Sequence, residues 1–265
     1  MTTSDVTPYA IIGATGQQGG AVVDALLAAR GVTLVHGDQD DQDSLAEALR
    51  GIRGLFLMTT YNDDTGWTEG ETRRGRTVAE AAARAGVPHV VYSSVGGAER
   101  HSGVPHFESK RRVEEALADV VPSSFVRPTF FMENLAGALK ADDSAEFVFR
   151  FPMPGDVPIQ MIAVADIGRV SAAVLLDPST LPMGAVEIAG DVLTGEEIAA
   201  LIGEQLGKLG RFEPLPLSVL GADADRKAMF GWFVDTPAYQ ADFEATRRLD
   251  PDVVDLAAWL KVVSR

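Results

Sequence analysis

The sequence predicts an α/β chain built on a doubly wound parallel sheet, followed by a small C-terminal α+β lobe. Three observations carry this. Apolar runs at Tyr9–Ile12, Val32–His36, Leu55–Thr59, His89–Ser93 and Ser124–Arg127 have the length and composition of buried parallel strands. Helical patterns stand between them, at Ala21–Ala29, Ser44–Arg50, Glu71–Ala85 and Ser109–Ala118. A glycine-rich stretch from Gly13 to Gly20 joins the first strand to the first helix.

Local signals justify the elements in turn. Gly31 reads as the stop of the first helix and leads straight into Val32. Ser44 and Glu47 have capping-box spacing, and Gly86 with Pro88 ends the helix before the fourth strand. After Pro128 the alternation loosens. Short strands are expected at Phe147–Phe151, Pro158–Ala163 and Ala185–Ile188, and helices at Asp166–Leu176, Gly195–Leu206 and Val253–Val263. Thr194 and Glu197 form a second capping pair, and Phe230–Phe243 is rich in aromatic residues. Residues 1–130 are therefore read as the sheet core, and residues 131–265 as a smaller lobe that partly packs back on it.

Composition narrows the function. With 46% apolar and 23% charged residues the chain is ordinary for a globular protein, and no run of about 18 apolar residues exists to span a bilayer. The short polar segment Met1–Thr7 lacks the layout of a secretion signal, so a cytoplasmic location is expected, with no membrane contact. A net charge of −15 disfavours direct nucleic-acid binding. The basic triplets Arg73, Arg74, Arg76 and Lys110, Arg111, Arg112 sit beside glutamates and read as solvated helix faces. Zero cysteines, and four His without metal-ligand spacing, predict no metal site.

The glycine stretch Gly13-Ala14-Thr15-Gly16-Gln17-Gln18-Gly19-Gly20 carries the chemistry. Gly13 permits a tight exit from the strand, Gly16 lets backbone approach a pyrophosphate, and Gly19 allows close helix–strand packing. Exposed N–H groups and the dipole of the following helix attract phosphate, with Thr15, Gln17 and Gln18 lining the turn. The expected ligand is a nicotinamide dinucleotide.

The stretches GATGQQGG, HGDQDDQDSL, GVPHVVYSSV, HFESK and RPTFFMENL, in that order, resemble the NmrA-like branch of the atypical short-chain dehydrogenases/reductases. The resemblance covers most of the chain and is stronger before Leu135. It implies a Rossmann-like fold that binds NADP(H) or NAD(H), in a family holding both reductases and redox-sensing regulators. It also implies phosphate contacts at Gly13 through Gly19, an adenine contact at Asp38 and Gln39, and Thr59, Thr60 and Tyr61 near the middle of the cofactor. Ser93 would lie beside the nicotinamide, Lys110 at its ribose, and Phe131, Met132, Glu133 and Asn134 over the nicotinamide end.

Two features depart from the family pattern. Only 18 residues separate Gly19 from Asp38, where relatives place a further strand and helix. The basic residue expected to hold a 2′-phosphate goes with them, which tilts the expected cofactor from NADP toward NAD. Alternatively, Val32–Asp38 occupies the slot beside the first strand and Asp38 takes a ribose hydroxyl; Asp38 also reads as a plain turn acid before a helix. The second departure is His106-Phe107-Glu108-Ser109-Lys110, in which histidine stands where short-chain reductases commonly carry tyrosine. An imidazole with an ordinary pKa of about 6.5 is a competent general acid, so Lys110 and His106 are the catalytic candidates; a loop histidine ahead of a helix is the plainer reading.

Ser93 and Ser94 lack a GxSxG elbow, which argues against a serine hydrolase. Tyr61, Trp67, Phe130, Phe131, Met153, Met161, Phe230 and Trp232 are candidates to line an apolar cleft, or ordinary core. The leading expectation is hydride transfer with an apolar or aromatic carbonyl, quinone or enone. Its rivals are an NAD(P)-sensing regulator that acts through a protein partner, and a scaffold in which the shortened segment has abolished cofactor binding.

Overall fold

The computed structural model describes residues 8–29, 38–61, 66–139, 145–181, 184–235 and 237–263. The main sheet contains β1 (Tyr9–Ile12), β2 (Gly54–Leu57), β3 (Val90–Ser93), β4 (Ser123–Pro128) and β8 (Ala185–Ile188), hydrogen-bonded in that order and all parallel. Their register aligns Tyr9 with Gly54, Leu55 with Val90, Val90 with Ser123 and Phe125 with Ala185. All carboxyl ends therefore open on one edge.

Helices cover both faces because successive strand residues point to opposite sides. Leu55, Leu57 and Tyr92 face α2 (Gln42–Ala48), α3 (Trp67–Ala85) and α4 (Pro105–Ala118), meeting Leu45, Val78, Val113 and Leu117. Phe56, Val91 and Val126 face α1 (Gln17–Ala29) and α5 (Val164–Leu176), meeting Val22, Leu26, Ile167 and Val170. The α1–α5 crossing is close: a Cβ on Gly168 would lie 2.5 Å from the Ala21 carbonyl carbon.

A second core belongs to the remaining elements. It lies among β5 (Phe130–Phe131), β6 (Glu146–Phe151), β7 (Pro158–Ile162), β9 (Asp191–Thr194), α6 (Gly195–Gln205), β10 (Leu209–Pro214), α7 (Ala224–Asp235) and α9 (Leu256–Val263). Helix α8 (Phe243–Leu249) packs instead on β8 and α5. In the second core β7 pairs with β5 and β9, and β6 with β10. Arg100 joins the two cores. Its guanidinium reaches both carboxylate oxygens of Glu187 on β8 (2.9 and 3.1 Å) and the Ala238 carbonyl (3.1 Å), and lies over the Trp232 ring.

Several boundaries differ from the sequence reading. Helices α1, α3 and α4 each begin four residues before the expected start, because Gly16, Gly66 and Pro105 are tolerated at or before a helix's first turn. Helix α2 is capped by Asp41, whose carboxylate accepts from the Asp43 and Ser44 amides, so the expected Ser44–Glu47 box does not form. The Thr194–Glu197 box does. The strands Asp191–Thr194 and Leu209–Pro214 lacked alternation strong enough to read. The expected strand Val32–His36 and the helix stop at Gly31 lie outside the described residues. No described helix is long and apolar enough to cross a membrane.

Asp166, in the first turn of α5, is fully buried against Arg169, which also holds Asp250 at 3.0 Å. Burial outweighs the guanidinium and raises this carboxyl from 3.8 to about 6. An acid raised in the folded state contributes stability below its unfolded value, and that contribution is lost as pH rises through the folded value. Between about pH 3 and pH 7 the wild type should lose about 3 kcal/mol relative to Asp166→Asn, at about 1.36 kcal/mol per pKa unit. Denaturant titrations of both proteins across that window check it; parallel stability curves would contradict the assignment.

Candidate active site

The β1–α1 bend leaves the carboxyl edge of the sheet through Gly13, whose φ of 89° is left-handed. The Gly16 amide donates to the Gly13 carbonyl at 2.9 Å and closes the turn. A Cβ on Gly19 would lie 2.1 Å from that same carbonyl oxygen, so only glycine fits. Among the described residues no protein acceptor engages the amides of Gln17, Gln18 or Gly19. They are the orphan donors at the start of a 13-residue helix, and they fit a diphosphate. Thr15 and Gln17 are exposed on the turn. Gln18 bends inward, and its side-chain oxygen accepts from the hydroxyl of Ser93 at the end of β3.

Asp38 and Gln39 sit in a turn before α2. The Asp38 carboxylate accepts from the Asp40 amide at 2.9 Å, which is the turn-acid geometry. Gln39 differs: its side-chain oxygen is buried without a hydrogen-bond partner. Ser94, one residue past β3, has a hydroxyl in the same condition. Buried polar atoms left unmatched call for a ligand or water.

Past the end of β2, Thr59 is buried and turned inward, Thr60 is exposed and Tyr61 is half-buried. The Thr59 hydroxyl donates to Glu71 at 2.7 Å and lies 2.8 Å from the Tyr92 hydroxyl. Glu71, fully buried on α3, also accepts from Ser109 and from the Lys110 ammonium at 3.0 Å. Burial, reinforced by the Glu71 charge, holds the Tyr92 phenol well above its ordinary value, so it stays a donor.

His106 is the second residue of α4 rather than part of a loop, because Pro105 starts the helix. Its Nδ1 lies 2.8 Å from a carboxylate oxygen of Asp225 on α7, and its backbone amide donates to the same group at 3.0 Å. The carboxylate fixes one ring nitrogen and leaves Nε2 for other chemistry. Tyr61 packs 5.7 Å from the imidazole and 5.1 Å from Trp67, centroid to centroid. Burial raises the Tyr61 phenol, so it is no base at neutral pH. Trp67 takes left-handed backbone (φ 51°) directly after Gly66 (φ 77°), a strained start that places its half-exposed ring in this row.

Phe131 is half-buried on β5, Met132 is buried and Asn134 is exposed on the following 3-10 turn. Glu133 is spent on structure, accepting from the Val164 amide at the start of α5 and from the Trp259 indole at 3.1 Å. Phe130, Met161, Phe230 and Trp232 pack in the second core instead of lining an open cleft, whereas Met153, which also packs there, lines an apolar pocket with Pro152, Pro154, Leu215 and Val234. The basic triplets are largely taken up by carboxylates: Arg73 and Arg74 by Asp40, Arg111 by Glu108 and Glu115, and Arg112 by Glu69.

Two site residues escaped the sequence reading. Glu71 carried a faint signal, since it shares the buried stripe of α3 with Gly75, Val78 and Ala82 at helical spacing. Asp225 carried none, being 119 positions from His106.

Comparison with known proteins bears on the family and the fold. A model described as the NmrA-like family matches residues 26–234, from inside α1 to α7. The (4-alkanoyl-5-oxo-2,5-dihydrofuran-3-yl)methyl phosphate reductase of Streptomyces griseus subsp. griseus is 32% identical over 220 residues, covering 82% of this chain and 72% of that protein. Among solved structures, the NADPH-dependent quinone oxidoreductase QOR2 of Escherichia coli, complexed with NADPH, aligns with a TM-score of 0.80 at 23% identity over 97% of this chain and 100% of that chain. Nmra, a negative transcriptional regulator complexed with NAD, aligns with a TM-score of 0.80 at 18% identity over 98% and 96%. The two structures speak for a Rossmann-type fold. With a family match spanning most of the elements and a reductase relative of this similarity, the chain belongs to the NmrA-like family.

Proposed function

We propose that this protein is an NAD(P)-dependent oxidoreductase acting on an apolar or aromatic carbonyl, quinone or enone. One observation carries the reading: the unengaged amides of the β1–α1 bend and the Lys110–His106 pair belong to the same edge of the sheet. The names of its relatives, a phosphate-ester reductase and a quinone oxidoreductase, support the reaction class.

In this reading Gly13, Thr15, Gly16, Gln17, Gln18 and Gly19 hold the diphosphate. Asp38 and Gln39 take the adenosine half, with the unmatched oxygen of Gln39 suited to the adenine amine. Thr60 and Tyr61 flank the middle, while Thr59 acts through Glu71 instead of by direct contact. Ser93, Phe131 and Asn134 border the nicotinamide end, and Lys110 donates to its ribose. A bound nicotinamide supplies or accepts hydride at the substrate carbon. His106 delivers a proton from Nε2 to the substrate oxygen, with Asp225 holding Nδ1–H so that the tautomer and ring plane are set. A second reading, a cofactor-occupied sensor, draws on the fact that Lys110 and His106 are both already engaged by carboxylates.

Titration of the purified protein with NADH and with NADPH, followed by nicotinamide fluorescence, should give saturable binding of at least one. Gly19→Ala should remove it, because the added methyl collides with the Gly13 carbonyl; circular dichroism verifies that the variant folds. Silence from both dinucleotides would end the cofactor reading.

Turnover against quinones, enones and aromatic aldehydes separates enzyme from sensor. His106→Ala should lower kcat by roughly a hundredfold, the scale of a lost general acid, with dinucleotide affinity nearly unchanged. Lys110→Ala should impair both. Binding without turnover on the whole panel favours the sensor, and unchanged rates in both variants remove these residues from the mechanism.

A further inference from the structure

We infer that Glu71 is the positioning residue of this site: its buried carboxylate fixes the Lys110 ammonium and sets the direction of the hydroxyls around it, making Lys110 a rigid donor toward a ligand hydroxyl. The inference rests on the reading of Lys110 as a ligand-contacting group.

The hydrogen-bond directions follow from counting protons. Thr59, Ser109 and Lys110 all converge on Glu71, and only an acceptor can satisfy three donors. The single hydroxyl proton of Thr59 is committed to Glu71, so Tyr92, 2.8 Å away, must donate to Thr59. The chain Tyr92, Thr59, Glu71 thus has one polarity, and it ends on the carboxylate oxygen that holds Lys110. An ammonium has three N–H bonds. One is used on Glu71, and the other two have no protein acceptor among the described residues. The side chain keeps 14% of its surface exposed, enough for a ligand to reach them.

The helices are built to permit this contact. Gly75 lies one turn beyond Glu71 and Val113 one turn beyond Ser109. A Cβ on Gly75 would sit 2.3 Å from a Val113 methyl, so α3 and α4 approach as closely as they do only because that position is glycine. Glycine in mid-helix costs about 1 kcal/mol relative to alanine. Desolvating a carboxylate and an ammonium also consumes most of what their attraction returns. Neither expense favours stability; both fix Lys110 in place. Four segments meet here, the stretch after β2 through Thr59, β3 through Tyr92, α3 through Glu71 and α4 through Ser109 and Lys110. The ammonium is therefore tied to the sheet edge independently of any ligand.

Carbamylation of Lys110 by cyanate, followed by peptide mass spectrometry on the cofactor-free protein, tests this without relying on turnover. In Glu71→Gln the Lys110 side chain loses the buried carboxylate that holds it in place, so its labelling rate should rise severalfold, while exposed Lys261 on α9 keeps its rate. Glu71→Asp, which retains the charge with a shorter reach, should fall between. Where the substrate panel is turned over, the Glu71→Gln defect should lie in kcat and be partly restored by Glu71→Asp. Wild-type Lys110 rates in Glu71→Gln would overturn the inference; should that variant not fold, a wild-type rate in Glu71→Asp does so. Because labelling needs no dinucleotide, failure of cofactor binding leaves this result standing, and the two readings fail separately.

Discussion

A methyl group on Gly19 would lie 2.1 Å from the Gly13 carbonyl, and the geometry of the β1–α1 bend depends on that methyl being absent. The contact lets α1 start immediately after β1, so the orphan amides of its first turn stand at the carboxyl edge of the sheet. Two further contacts hold the helix there. Gln18 ties the turn to Ser93 on β3, and Gly168 allows α5 to press on Ala21 from the other side. The position of the amides relative to β3 is thus set by packing and does not require a ligand.

The other end of the site is organised by two carboxylates. Glu71 reaches Lys110 from inside the sheet domain, and Asp225 reaches His106 from α7 in the second core. Lys110 and His106 are one turn apart on α4, so a single helix presents a cation fixed by one core and an imidazole fixed by the other. Helix α7 thus contacts this part of the site through Asp225 at His106, and a shift of α7 relative to the sheet would act there. Arg100 limits such motion by bonding Glu187 and the Ala238 carbonyl while lying over Trp232.

Much of this was legible in the sequence, and the reasons differ by element. The parallel strands were readable because burial on both faces leaves uninterrupted apolar runs, such as Leu55 to Leu57. The glycine turn was readable because its spacing reports steric demands local to ten residues. Helix starts were misread at Gln17, Trp67 and Pro105, because Gly16, Gly66 and Pro105 are tolerated at or before a first turn and so do not mark a boundary. The Ser44 cap failed against Asp41, a competitor three positions earlier. Asp225 was invisible, since a partner 119 residues away leaves no periodic trace. Aromatic residues named as cleft candidates, Phe130 and Phe230 among them, proved to be core, because hydrophobicity alone does not distinguish a pocket wall from an interior.

What the amides of the β1–α1 bend bind decides the function of this site. Amide hydrogen exchange at Gln17, Gln18 and Gly19, measured in the free protein and with saturating NADH or NADPH, addresses that directly. Slowed exchange at these three amides on adding dinucleotide is the predicted result. Exchange there that is unchanged by a dinucleotide bound elsewhere on the protein would contradict the account.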